Sequence, residues 1–280
     1  MWKQKIGISI AKKYDIPMAE VVKMLKTIGF DAISPEWEND KSLEEIVIAA
    51  KENNMVVQSL HAPFMNASKL WNMDENVSTP AKAEIIEAIE ACAKYEIPIL
   101  VMHTWIGFDY KFDANLLCFN VFDEIVVAAQ KDGVKIAFEN TEGQEFLFAL
   151  MNRYNDNKKV GFCWDSGHEM CYNYSNDLLE KYGNRLIMTH LNDNLGISDF
   201  DGNIIWTDDL HLLPFDGIAD WDYNVERLKK ANKLEILNFE LNRGSKPDRH
   251  ENDIYKQMSL ELYFTEAYKR ACKIAYKYAY

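Results

Sequence analysis

Residues 135–139 read Lys-Ile-Ala-Phe-Glu, residues 161–165 Gly-Phe-Cys-Trp-Asp and residues 186–190 Leu-Ile-Met-Thr-His. Each is a short, mostly apolar run that closes on a titratable residue: Glu139, Asp165 or His190. Runs of this length suit strands buried on both faces, as in a parallel sheet. The pattern extends outward to residues 5–10, 32–37, 56–61, 99–103 and 236–240. Between these runs lie amphipathic segments with helical spacing. Residues 18–29 carry Val21, Val22, Leu25 and Ile28 and stop at Gly29. Residues 42–54 open on Ser42 and Glu45, the spacing of a capping box. Residues 79–95 place Pro80 at the first helical position. Further helices are expected over 116–131, 144–154, 176–182, 224–231 and 260–278.

Eight strands alternating with eight helices specify a parallel α/β architecture. Units of about 35 residues match a (β/α)8 TIM barrel, so one domain over residues 1–280 is expected. The rival is an open doubly wound sheet. It would announce itself by a Gly-rich first turn, and the chain contains no Gly-x-Gly-x-x-Gly or Walker A sequence.

Composition narrows the function classes. Lys and Arg number 31 against 44 Asp and Glu, a formal charge of −13. Such a chain repels phosphate backbones and anionic bilayers over its mean surface, so no nucleic-acid or membrane partner is expected. Five cysteines without a Cys-x-x-Cys read as reduced, buried thiols. No apolar run is long enough to span a bilayer and no signal peptide is evident, so the expected location is cytoplasmic. The tyrosine-rich end, with Tyr276, Tyr278 and Tyr280, is a candidate contact for a homo-oligomer.

The chemistry gathers at strand ends. His61, His103 and His190 close runs three, four and seven, and Glu139, Asp165 and Glu240 close runs five, six and eight. His168 follows Asp165 by three residues, and Asp209 and His211 lie in the loop after run seven. In a parallel barrel all strand C-termini open on one face. Taken singly, each of these residues is more often a hydrogen-bonded structural group. Together, four acids and five imidazoles in one low-dielectric cavity require a neutralising cation. The mixed donors suit Zn²⁺, Mn²⁺, Fe²⁺, Co²⁺ or Mg²⁺. Arg243 and Lys246, just after Glu240, are the nearest cations able to receive an anionic group, and solvated loop charges are the equal alternative. Trp37, Trp105 and Trp206 either rim the cavity or pack in the ordinary way, and Cys163 reads as a small core residue.

Seven stretches carry a family resemblance: Ser-Leu-His61-Ala-Pro, Val-Met-His103-Thr, Phe-Glu139-Asn, Cys-Trp-Asp165-Ser-Gly-His168, Thr-His190-Leu-Asn-Asp, Asp209-Leu-His211-Leu-Leu-Pro and Phe-Glu240. The chain resembles the xylose isomerase-like TIM barrel superfamily, in its sugar phosphate isomerase/epimerase branch related to endonuclease IV. The resemblance implies one divalent metal on Glu139, Asp165, His190 and Glu240. It also gives Glu139 and Glu240 the catalytic role of passing a proton across an enediolate. His168 would align a substrate hydroxyl. The endonuclease branch would instead use His61, His103, His168, Asp209 and His211 as ligands of a second and third ion. These residues are therefore either cavity residues or further metal ligands. The implied activity is isomerisation or epimerisation of a sugar or sugar phosphate. The alternatives are an endonuclease IV-like phosphodiesterase and a metal-dependent dehydratase of a sugar-like hydroxy-ketone. An Arg that several ketose epimerases of the family carry after the strand-seven His is absent here, so phosphorylation of the substrate stays open.

Overall fold

The computed structural model describes residues 4–12 and 14–280. Nine strands are present among them: β1 (Lys5–Ile10), β2 (Ala32–Pro35), β3 (Val56–Val57), β4 (Leu60–His61), β5 (Ile99–His103), β6 (Lys135–Glu139), β7 (Val160–Asp165), β8 (Leu186–His190) and β9 (Ile236–Phe239). The expected third strand is split into β3 and β4. The first half pairs with β2 and the second with β5. All pairings are parallel, in two arcs ordered β3-β2-β1-β9 and β4-β5-β6-β7-β8.

Two seams close the arcs into a barrel. At one, Glu36 bridges His61 and the Trp37 amide donates to the His61 carbonyl at 2.8 Å. At the other, the Leu191 amide donates to the Asn238 carbonyl at 2.9 Å. There the Thr189 hydroxyl also accepts from the Asn238 amide at 3.0 Å and donates to its carbonyl at 3.2 Å. A side chain thus replaces a ladder pair, leaving the backbone groups satisfied.

Register decides which side chains meet. Phe162 stands beside Leu186, but Cys163 stands beside Met188, so Ile187 is an extra residue on β8. This irregularity brings His190, and not Thr189, beside Asp165. Gly161 makes room for it. A Cβ there would approach two carbons of the Ile187 side chain to 2.6 Å. Inside the barrel, Ile99, Val101, Ala137, Cys163 and Met188 form a small apolar plug under the strand ends. Cys163 is fully buried there, as a core residue should be.

The helices cover the outside: α1 (Met18–Ile28), α2 (Asp40–Glu52), α3 (Glu75–Lys94), α4 (Asn120–Lys131), α5 (Gln144–Arg153), α6 (Ser166–Cys171), α7 (Leu178–Tyr182), α8 (Trp221–Lys230), α9 (Asp253–Gln257) and α10 (Leu260–Ala279). Several starts differ from expectation: α4 begins at Asn120 and not 116, α7 at Leu178 and not 176, and α8 at Trp221 and not 224, and the starts of α2 and α3 show the cause. Asn39, not Ser42, caps α2 by accepting from the Ser42 amide, so Ser42 lies inside the first turn. Asp74 caps α3, which begins before Pro80 and carries the proline within it. The short helices α6 and α9 were not foreseen, because neither is long enough to show a hydrophobic period. In α10, Tyr278 is buried and its hydroxyl accepts from the Leu234 amide at 3.1 Å, which ties the last helix beneath β9. No helix among the described residues is long and apolar enough to cross a membrane.

Candidate metal centre

The strand ends deliver the expected residues to one place. Single donor atoms of Glu139, Asp165, His190 and Glu240 all lie within 4.8 Å of one another. Ligands of one divalent ion, each about 2.1 Å from it, lie no more than about 4.2 Å apart, which is close to that spread. Four further groups share members with this one: His61, His103 and Glu139; His61, His190 and Glu240; Glu139, Cys163 and His190; and Asp165, His168 and His211.

Glu139 is the hub. It is fully buried, and one of its oxygens accepts from His190 Nδ1 at 2.8 Å. The other faces His61 Nε2 at 3.3 Å and His103 Nε2 at 3.5 Å. Glu240 approaches His190 Nδ1 at 3.3 Å and keeps 22% of its side chain exposed. His168 Nε2 lies 3.5 Å from Asp209, and His211 Nε2 lies 3.0 Å from the same carboxylate.

The tautomers follow from the backbone. A carbonyl oxygen only accepts, so a ring nitrogen bonded to one must carry the proton. His61 Nδ1 donates to the Ala62 carbonyl at 2.8 Å, His168 Nδ1 to the Asn140 carbonyl at 2.8 Å and His211 Nδ1 to the Glu240 carbonyl at 3.1 Å. The Nε2 lone pairs of the neutral rings are therefore aimed at Glu139 and Asp209. Lone pairs facing carboxylate oxygens repel unless a proton or a metal ion lies between them. Backbone carbonyls fixing the tautomer in this way are what metal-binding imidazoles use.

Without metal, protons do that work. Burial disfavours the His190 imidazolium, but Cys163, Glu139 and Glu240 more than reverse this and raise its pKa well above the usual value. His168 is raised likewise by Asp165 and Asp209 against the burial effect. His211 is pushed to about 9 by Asp209, again against burial. Burial would raise Glu139, yet the imidazoles of His190 and His61 hold it well below the usual carboxylate range. His103 is the exception, since burial lowers it to about 3 and leaves it neutral.

Two asparagines build the frame, and sequence reasoning assigned neither a role. Asn140 accepts the Asp165 amide at 2.8 Å and donates to the Asp165 carbonyl at 2.9 Å, locking β6 to β7 just past their ends. Asn192 donates from Nδ2 to both Asp165 oxygens, at 2.9 and 3.2 Å. Their signal was position: each lies one or two residues past a strand-end ligand. Asp165 in turn caps α6 by accepting the His168 amide at 2.7 Å. Gly167 occupies the tightest point, where a Cβ would come 1.9 Å from Asn192 Oδ1. Gly167→Ala is expected to displace Asn192 and lower stability by ~3 kcal/mol, the upper range for overpacking, measured by urea denaturation.

The cavity above this centre has a volume of about 330 Å³ and is bordered by His61, Phe64, His103, His168, Asp209 and Glu240, with Ser9, Glu36 and Lys246 at other points of its wall. Glu139 is not among its lining residues. His211, also on the wall, holds a left-handed backbone at φ 48. Non-glycine residues keep this conformation only where surrounding bonds impose it, often at functional sites. Here the His211 carbonyl accepts from the Asn242 amide at 2.9 Å.

The two expected cations part company. Lys246 reaches the cavity, with Nζ 3.4 Å from Asp209 and 5.5 Å above the Trp206 ring. Arg243 does not border the cavity. Its guanidinium is committed to the carbonyls of Tyr255, Lys256 and Met258 around the end of α9. Trp105 stacks on Phe146 with centroids 4.0 Å apart, which is packing, and Trp37 is buried in the core.

A family model described as xylose isomerase-like TIM barrel matches residues 22–260. The uncharacterized protein y4fM of Sinorhizobium fredii is 36% identical over 165 residues, which are 54% of this chain and 50% of that protein. The chain thus spans about half the length of that relative. Among solved structures, the IOLI protein with a bound zinc atom superposes at TM-score 0.73 with 19% identity, covering 97% of this chain and 98% of that one. D-psicose 3-epimerase from Clostridium cellulolyticum, solved with D-tagatose, gives TM-score 0.73 and 15% identity over 98% and 99% of the two chains. The 3-keto-D-glucoside 4-epimerase of E. coli gives 0.67 and 16% over 94% and 99%.

Proposed function

Since the chain belongs to the xylose isomerase-like TIM barrel family, we propose that it is a divalent-metal-dependent isomerase or epimerase of a sugar-sized polyol ketone. The observation that carries the metal centre is the convergence of single donor atoms of Glu139, Asp165, His190 and Glu240 within 4.8 Å of one another, beside imidazoles whose Nε2 lone pairs are aimed at carboxylates. Glu139, Asp165, His190 and Glu240 would hold the ion, and their donor types and spacing fit it. When bound, the ion supplies Lewis acidity toward a carbonyl oxygen. Glu240, which borders the cavity, would take the proton beside that carbonyl, and the buried Glu139, which shares His190 Nδ1 with it, would be its counterpart. His168 and Lys246 meet substrate hydroxyls or an anionic group at the wall. A cavity of about 330 Å³ suits a single monosaccharide better than a polymer. The zinc of the IOLI protein and the epimerase neighbours support this reading.

One feature favours a second reading. Glu139 is enclosed by His61, His103 and His190, Asp165 groups with His168 and His211, and Asp209 approaches those last two imidazoles. A carboxylate so enclosed suits a bridging ligand, and several ions side by side suit attack of water on a phosphodiester. Metal analysis with two assays separates the readings. One ion per chain, with exchange of a carbon-bound proton for deuterium when ketoses are incubated in D₂O, supports the isomerase. Three ions per chain, with hydrolysis of bis(p-nitrophenyl) phosphate, support the hydrolase. In either case chelation by EDTA is expected to abolish turnover, and full activity in the metal-stripped protein overturns both.

A further inference from the structure

Behind the centre, on the outer side of β7, lies a second buried polar cluster. Trp164 immediately precedes Asp165, and Glu169 immediately follows His168. Trp164 Nε1 donates to Glu169 Oε2 at 2.8 Å, and the Leu178 amide donates to the same oxygen at 3.3 Å. Arg227, from α8, donates to Glu169 Oε1 and to Asp177 Oδ1, each at 2.6 Å, and to Asn224 at 3.0 Å. Its guanidinium lies 5.3 Å from the Trp164 ring and 5.5 Å from the Tyr223 ring. Only 9% of the Arg227 side chain and 12% of that of Glu169 are exposed.

Stability alone is a weak reason for this arrangement. A buried ion pair gains little or nothing over well-packed apolar side chains of the same volume, because both charges must be stripped of water. Such groups gain their value by imposing one geometry. Here the geometry is that of residues 164–169. Side chains alternate across a strand, so Trp164 faces outward while Asp165 faces the barrel mouth. The Trp164–Glu169 bond therefore closes the outer side of a turn whose inner side carries Asp165 and His168. Arg227 fastens that closure to the next helix, and Asp177 fastens Arg227 to the start of α7.

We infer that Trp164, Glu169 and Arg227 are positioning residues: their buried network fixes the turn that carries Asp165, a metal ligand in the reading above, and so tunes metal affinity from behind the centre. This rests on the metal-centre reading above. The test is titration of the metal-stripped full chain with Co²⁺, following its visible absorption. Trp164→Phe removes one hydrogen bond and keeps the ring, and Glu169→Gln removes the charge and keeps the shape. Both are expected to weaken Co²⁺ binding by about 10- to 100-fold, the usual effect of losing a group that orients a ligand, and to shift the Co²⁺ bands. Arg227→Lys keeps the charge and is expected to recover part of the affinity lost in Arg227→Met. Arg185→Met is the control. It severs bonds to the carbonyls of Met151, Tyr154 and Val160 at the far end of β7, so it should lower Tm and leave Co²⁺ affinity unchanged. Wild-type affinity in both Trp164→Phe and Glu169→Gln overturns the inference, as does an equal loss in Arg185→Met. A wild-type chain that takes up no Co²⁺ overturns the metal-centre reading itself.

Discussion

Glu139→Gln is expected to lower turnover by about 10²- to 10⁴-fold, the span associated with losing a positioned proton-transfer group. Loss of metal should accompany it. The carboxylate touches His190, His61 and His103 at once, and no other described carboxylate contacts all three. Gln presents an N–H₂ to at least one of these imidazoles, and so removes a ligand and the charge that holds the imidazoles in place. The metal-free variant should also be less stable, by about 3 kcal/mol, because imidazolium charge is left buried without its partner. The barrel itself should persist, since the apolar plug of Ile99, Val101, Ala137, Cys163 and Met188 lies below the change. Glu240→Gln is the informative comparison. That residue borders the cavity and is partly exposed, so turnover should fall comparably with a smaller loss of metal-free stability. Steady-state kinetics, metal analysis and urea denaturation of both variants provide the check. Retained activity in Glu139→Gln ends both functional readings.

The largest loss of stability is expected from Asp193→Ala. This buried carboxylate accepts the amides of Asn194 at 2.8 Å, Phe215 at 2.8 Å and Ala219 at 3.0 Å, and Trp221 Nε1 at 2.9 Å. It pins both ends of the loop that carries Asp209 and His211. Truncation leaves several donors without an acceptor, each costing about 1–3 kcal/mol, so a loss of ~4 kcal/mol or more is expected in urea. Gly217 shows how closely the loop is folded on this side chain, because a Cβ there would approach Asp193 Oδ1 to 2.2 Å. Metal or ligand affinity should fall with it, as the loop residues of the centre lose their positions. A change below about 1 kcal/mol would show that the loop is held by other contacts.

Asp193 was visible in the sequence only as one more acid after His190, and its role depends on amides more than twenty residues away. Arg243 illustrates a different limit. Its place three residues after Glu240 offered an anion receiver or a solvated charge as equal readings, and its guanidinium instead donates to the carbonyls around the end of α9. The start of α2 turned on a similar competition. Ser42 had the spacing of a cap, and Asn39 won because its side chain meets the Ser42 amide where the chain enters the helix.

What the sequence determined by itself is the order of units, the parallel barrel and the titratable residues at or just past the ends of its strands. These follow from short-range periodicity, which every apolar run and helical stripe displays locally. The convergence of Glu139, Asp165, His190 and Glu240 was foreseeable on the same ground, since parallel strands share one open face. Only the tertiary structure decided the register that brings His190 beside Asp165, the two seams that close the barrel, and which nitrogen of each imidazole faces a carboxylate. Those depend on backbone groups distant in sequence: the extra residue at Ile187, the Thr189–Asn238 pair, and the carbonyls of Ala62, Asn140 and Glu240. A hydrogen bond between remote parts of a chain leaves no period in the sequence, because its partner is chosen by closure of the whole barrel.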